Sequence, residues 1–157
     1  MNGNDRIPLP AYLAIGLVAG SVIALQITIM RIFAVGNWVH FGSLVVSLAL
    51  LGFGLTSAVM CAGKEWFERH WRGVAGTSLL VFGPLMVAAN LLAQQTPFNA
   101  IFLVSDPQQK WLLLLNFLLY FTPFLAGALF IGTVLLRSRR AFARVYFADL
   151  AGSGLCG

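Results

Sequence analysis

Charged residues are scarce in this sequence: they make up 10% of 157 residues, against about 25% in ordinary soluble domains. Hydrophobic residues account for 59% of the chain. Too little polar surface remains to coat a water-soluble globule, which excludes that class of protein. Acids and histidines are rarer still, five and two in all. None of them is spaced for acid–base work, so we predict no catalytic residue.

Cysteine is almost absent as well. Cys61 and Cys156 lie in or beside apolar segments and form no C-x-x-C pair, which argues against a disulfide framework and against a zinc site. Inert, buried thiols are the expectation. His40 has no second histidine or carboxylate three or four residues later, so we predict no metal ligand and no cofactor in this chain.

Long uncharged runs are what the sequence does contain. Residues 7–30, 32–63, 73–105 and 111–136 carry no charged side chain, and each run exceeds the roughly 20 residues that a helix needs to cross a bilayer. The alternation of a membrane barrel strand is missing. The predicted fold is therefore all-α, a polytopic membrane helix bundle in a single domain over 1–157. Its helices are expected at about 10–33, 38–61, 73–92 and 111–136, with an incomplete fifth at 146–157.

Other features refine this picture. Residues 64–72 mix charges with tryptophans and predict an interfacial loop or short surface helix. Pro84 and Pro123 fall inside predicted helices and should kink them. The fifth segment stops after about a dozen residues, too short to span, which predicts that the chain is a fragment of a longer protein. Asp149 is expected to mark the entry of that helix, where a carboxylate meets the positive helix end.

The basic residues predict the orientation in the membrane. With a cytoplasmic amino terminus, eight lysines and arginines fall on the cytoplasmic side and two on the other. The eight are Arg6, Lys64, Arg69, Arg72, Arg137, Arg139, Arg140 and Arg144, and the two are Arg31 and Lys110. We therefore predict an integral protein of a bacterial inner membrane with its amino terminus in the cytoplasm. The basic residues form no stripe with interleaved aromatics, so nucleic acid is not an expected partner.

Small residues at helical spacing are candidates for helix packing. The pairs four residues apart are Gly16 with Gly20, Ser43 with Ser47, and Gly54 with Ala58. Such spacing lets two backbones approach closely, and predicts that the first two helices pack tightly. The alternative is the ordinary abundance of glycine in membrane helices.

Residues 152–157, GSGLCG, match the G-x-G-x-x-G pattern of a dinucleotide-binding turn. No strand precedes the match and no helix or acidic partner follows it, so the context of that motif is missing. Helix packing through Gly152, together with Ala148 and Cys156 on one face, is the preferred interpretation. No cofactor-binding residue is predicted.

Polar residues inside the four predicted complete spans are few, and all but Arg31, near the end of the first helix, are neutral. Gln26 and Arg31 are the candidates for a polar functional role, because polar groups in membrane helices often mark transport or catalysis. Helix packing and interfacial anchoring are the alternatives, since Arg31 lies near a helix end and can extend to the interface.

Three stretches carry a family resemblance. Residues 24–33 (ALQITIMRIF) and 45–54 (VVSLALLGFG) resemble the first two helices of membrane-embedded spermidine-synthase-like proteins, and 146–155 (YFADLAGSGL) resembles a later helix. In that family several amino-terminal helices precede a Rossmann-type domain similar to polyamine aminopropyltransferases, which use decarboxylated S-adenosylmethionine. The family's catalytic signature has no counterpart in these 157 residues, so the resemblance transfers no catalytic residue and no cofactor.

The resemblance implies a membrane-anchoring helical domain of a spermidine-synthase-like protein, lacking its catalytic domain. Its partners would be the lipid bilayer and a cytoplasmic Rossmann-like domain downstream. Two alternatives stay open. The chain could be a partial transporter of small, polyamine-like solutes, which the two prolines suggest. It could also be an accessory subunit that packs against other membrane subunits through its glycine faces.

Overall fold

The computed structural model describes residues 9–36, 40–96, 102, 106–138 and 141–157. The helices are α1 (Leu9–Gly36), α2 (His40–Ala62), α3 (Lys64–Gln95), α4 (Pro107–Arg137) and α5 (Phe142–Cys156). No strand occurs in these ranges, and α1 to α4 are each long and apolar enough to cross a membrane. The predicted all-α membrane bundle is therefore confirmed. Arg6, Arg139 and Arg140, which entered the predictions, lie outside the described residues.

Helix α4 is the centre of the bundle and contacts the four other helices. The ring of Phe33 at the end of α1 lies 6.3 Å from that of Phe117 near the start of α4, so these two helices are antiparallel. Phe124, which is fully buried, packs beside Gly52 of α2. Small residues on the neighbours thus let α4 approach closely and bury its large aromatic side chains.

The end of α3 is joined to the start of α4 by hydrogen bonds. The Asn116 side-chain amide donates to the Thr96 carbonyl at 3.1 Å, to the Thr96 hydroxyl at 3.3 Å and to the Leu112 carbonyl at 3.0 Å. Asn116 is buried. Because an unsatisfied carbonyl is costly in an apolar medium, this bridge fixes the antiparallel pairing of α3 and α4.

Helix α3 begins earlier than predicted, at Lys64, and takes in the segment that was expected as an interfacial loop or surface helix. Its backbone leaves the helical region at His70 (φ −108°, ψ 17°), between that segment and the apolar run. Pro84 lies inside α3, and the kink predicted there stays a prediction. Pro123 likewise lies inside α4.

Helix α4 also begins earlier than residue 111. Asp106 caps it by accepting a hydrogen bond of 3.0 Å from the Gln108 backbone N–H, and Pro107 occupies the first turn. Aspartate at the N-cap followed by proline is a favourable helix start. This signal lies in the sequence and outweighs the polar character of the residues around it.

Helix α5 begins at Phe142, not at residue 146, and Asp149 is not at its entry. No acidic residue lies in its first turn, and Asp149 is in the middle of the helix, half-buried. The expectation that Asp149 meets the positive helix end is wrong for this reason. Cys61 and Cys156 are exposed residues, which corrects the prediction of buried cysteines, but the Cys156 sulfur lies next to Gly20 of α1.

The outer surface of the bundle is apolar. Large hydrophobic side chains such as Leu17, Leu80 and Phe147 are more than two-thirds exposed. Exposure of this kind would be unfavourable in water but matches a hydrocarbon solvent. The chain is thus an integral membrane protein in which lipid covers much of what a soluble domain would bury.

Candidate functional site

The predicted glycines of α1 pack against α5. A Cβ atom placed on Gly152 would lie 2.5 Å from the carbonyl carbon and 2.6 Å from the Cα of Gly16, and one placed on Gly20 would lie 2.8 Å from the Gly152 carbonyl oxygen. These are backbone atoms, so a rotamer change cannot make room. Gly16, Gly20 and Gly152 together form what we term the glycine seam, and along it α1 and α5 run parallel.

The helix partner of Gly16 and Gly20 is therefore α5, not α2 as predicted, and α1 contacts α2 through other residues. The small residues expected to line α2, Ser43, Ser47, Gly54 and Ala58, are exposed, and a Cβ on Gly54 would meet nothing within 4 Å. Helix α2 instead faces the bundle with a different stripe: Val45, Ala49, Gly52, Thr56 and Met60. Small residues at this spacing permit close approach without specifying which helix approaches.

The structure does not bring Gln26 and Arg31 together. Gln26 is half-buried and Arg31 is exposed near the end of α1. Five residues correspond to about 140° around a helix with 3.6 residues per turn, so the two side chains leave different faces of α1. This geometry favours interfacial anchoring for Arg31, the alternative given above, over a joint site.

Buried hydroxyl groups are a feature that sequence reasoning missed. Among the described residues, the Thr56 and Thr133 hydroxyls are buried and have no hydrogen-bond partner. Other hydroxyls of the bundle donate to the carbonyl four residues earlier, as Thr28 does at 2.7 Å and Ser78 at 2.6 Å. Thr56 and Thr133 lie in the α2–α4 part of the bundle. A buried hydroxyl without a partner is unfavourable by about 1–3 kcal/mol.

A cavity of about 220 Å³ opens between the start of α3 and the end of α4. Its lining residues are Glu68, Trp71, Thr133, Leu136 and Arg137, and we term it the α3–α4 cavity. One of the two unpartnered hydroxyls therefore belongs to a residue that lines it. The sequence does not predict the cavity or this hydroxyl, because the residues that line the cavity come from two segments more than 60 positions apart.

Two guanidinium groups lie over one aromatic ring at this cavity. The Cζ atom of Arg137 is 5.8 Å from the centroid of the Trp71 ring, and that of Arg72 is 5.4 Å from it. Contact with an indole face holds an arginine side chain in place while leaving its N–H donors free to bind another group. The break in α3 at His70 immediately precedes Trp71.

A second, more open depression of about 510 Å³ lies at the turn between α2 and α3, lined by Cys61, Ala62, Gly63, Lys64, Glu65, Trp66 and Arg69. It is at the same end of the bundle as the α3–α4 cavity. Within the described ranges, no three His, Cys, Asp or Glu residues are grouped to hold a metal ion. Comparisons with protein families, with curated proteins and with solved structures find no match to this chain.

Proposed function

We propose that this chain is a membrane-anchoring helical domain of a spermidine-synthase-like protein. The anchoring role is supported by the distribution of charge over a bundle of four apolar helices. The described basic residues of one end are Lys64, Arg69, Arg72, Arg137 and Arg144, whereas Arg31 and Lys110 are at the other. Such a bias holds a bundle in one orientation, with its basic end in the cytoplasm.

Helix α5 is packed onto the same bundle. It starts at the basic end, next to the last turn of α4, and the glycine seam holds it parallel to α1. Because α5 leaves the basic end and runs into the bilayer, a domain further along the chain would reach the cytoplasm only after a further crossing. The family assignment rests on the resemblance of the three stretches. Reading the gene beyond the codon for Gly157 tests it: a Rossmann-type domain in frame supports the assignment, and an immediate stop codon without one counts against it.

Cysteine labelling tests the orientation. Cys61 is exposed at the basic end, and Gln108 is exposed at the start of α4, at the opposite end. We expect a membrane-impermeant maleimide to label Gln108→Cys in intact cells when Cys61 and Cys156 are replaced by alanine. Cys61 alone, in a Cys156→Ala background, should react only after permeabilisation. The reverse pattern would overturn the proposed orientation.

A partial transporter of small, polyamine-like cations is the second candidate, and Asp149 favours it. Asp149 follows Ala148, whose carbonyl oxygen would lie 3.2 Å from a Cβ on Gly16, so this half-buried residue belongs to the part of α5 that packs against α1, within the α1 span. Acidic residues at such positions often mark ion or substrate pathways.

Uptake of spermidine into proteoliposomes tests this second candidate. If Asp149 binds the cation, Asp149→Asn should lower the uptake rate at least about tenfold, since a hydrogen bond to a charged group contributes about 1.5–3 kcal/mol. Asp106→Asn is the matched control, because asparagine caps a helix as well as aspartate does. Uptake by the unmodified protein that does not exceed that of empty liposomes would eliminate the transporter.

A further inference from the structure

Asp149 is an acidic residue without a partner at the level of the bilayer. It is half-buried, and among the described residues it has no hydrogen bond and no ion pair. Seven residues separate it from the start of α5 at Phe142, which is about 10 Å at 1.5 Å per residue. The glycine seam holds this part of α5 against the α1 span. Acidic groups at such a depth are unfavourable and almost always pair with another polar group.

The helices beside Asp149 offer no basic side chain within reach in the described part of the chain. Arg144 is five residues earlier on α5, which is about 140° around the helix, so its side chain leaves another face. Helix α1 carries no charged side chain before Arg31, near its far end. The Arg137 guanidinium lies over the Trp71 ring of α3. A cation for Asp149 must therefore come from outside the described residues.

The side chains around Asp149 form an open flank of α5. Those that leave the helix within about 60° of it on one side, at 100° per residue, are Phe142, Tyr146 and Ser153. We term these three residues and Asp149 the acidic flank. Phe142 and Tyr146 are exposed, and their rings stack with centroids 5.8 Å apart. Gly152, which contacts α1, is about 60° away on the other side. A second helix can therefore reach Asp149 without displacing α1.

The chemistry of the acidic flank matches a basic side chain carried by a helix. A carboxylate attracts an ammonium or a guanidinium more strongly where water is scarce. The exposed rings of Phe142 and Tyr146 add a favourable cation–π contribution, and the small side chain of Ser153 lets another backbone come close. Within the bilayer, a helix is the element that satisfies its own backbone groups while it presents such a side chain.

We infer that the acidic flank binds a transmembrane helix of a partner subunit, and that a lysine or arginine of that helix pairs with Asp149. In a symmetric dimer, a second copy of this chain would bring another aspartate to the same face, so the partner is a different protein. This inference depends neither on the family of the chain nor on which side of the membrane the basic end faces. It gives Asp149 a protein partner in place of a transported cation, and so competes with the transporter.

Association with a synthetic transmembrane helix in liposomes tests the inference. The probe is a leucine–alanine peptide of about 23 residues with one lysine about 10 Å from one end and an acceptor dye at that end. A donor dye on Cys61, which is exposed at the basic end, reports association by energy transfer in a Cys156→Ala background. We expect this peptide to bind about tenfold more tightly than the same peptide with leucine in place of lysine, as one charged hydrogen bond predicts.

Variants of the chain assign the effect to Asp149. Asp149→Asn should abolish the preference for the lysine peptide, and Asp149→Lys should prefer a peptide with glutamate at the same position. Asp106→Asn is the matched control, because Asp106 caps α4 at the opposite end of the bundle, and it should keep the preference. Asp149→Asn removes an unpaired carboxylate, so its melting temperature should be unchanged or higher, which separates lost binding from lost folding.

Two results would overturn the inference. One is equal association of the lysine and leucine peptides with the unmodified chain. The other is loss of the preference when millimolar spermidine is added, since Asp149 would then bind a free polyamine, as the transporter requires. Neither result bears on the anchoring role, which the downstream gene sequence and the cysteine labelling test separately.

Discussion

Replacing Gly152 with alanine is expected to separate α5 from α1, whereas the same replacement at Gly154 should leave the bundle intact. The added methyl group at Gly152 would overlap the backbone of Gly16, and relief requires one helix to move. Overpacking of this kind is unfavourable by about 1–3 kcal/mol. A Cβ on Gly154 meets nothing within 4 Å, so there alanine keeps only its advantage in helix propensity, up to about 1 kcal/mol.

The two variants should therefore change stability in opposite directions. Global unfolding alone could miss a loss confined to α5, so the second readout is the thiol of Cys156, which lies against Gly20 across the glycine seam. In a Cys61→Ala background, maleimide labelling of Cys156 should be faster in Gly152→Ala and unchanged in Gly154→Ala. Equal labelling rates and equal stabilities for both variants would contradict the close approach of α1 and α5.

The helices could be predicted from the sequence because their cause is local. A bilayer requires each spanning segment to satisfy its own backbone groups, so an uncharged run of more than about 20 residues predicts a helix by itself. The ends of the helices are harder to predict where polar residues continue a helix beyond the membrane, as at Lys64 and Pro107. The aspartate and proline at 106–107 form a start signal that a hydropathy argument overlooks.

The partner of the small residues could not be predicted, since Gly16 and Gly20 would allow any helix to approach equally closely. Selection of α5 depends on Gly152, which lies more than 130 positions later and completes the glycine seam. The α3–α4 cavity escaped prediction for the same reason. Trp71 and Arg137 each read as interfacial residues, and only the antiparallel pairing of α3 and α4 brings them to one ring contact.

The second large effect is expected at Phe124, the largest fully buried side chain among the residues that the structure describes. Phe124→Ala would leave a cavity between α4 and α2, beside Gly52, whose added Cβ would lie only 3.2 Å from that of Phe124. Such truncations in soluble cores are destabilising by about 3–5 kcal/mol. In a membrane the separated helices remain in lipid, so truncation loses little free energy of transfer from water. The loss of packing contacts around Phe124 still destabilises the bundle. We therefore expect about 3 kcal/mol in a detergent unfolding titration.

Leu118→Ala on the same helix is the matched control, because Leu118 is 53% exposed. Lipid can therefore fill the space that the truncated side chain leaves. It should change stability by less than about 0.5 kcal/mol, and Phe124→Leu should recover most of the loss. If Phe124→Ala and Leu118→Ala were equally mild, α4 would not be the packed centre of the bundle. A large loss only at Phe124 would show that packing against α2, and not apolar character, holds these helices together.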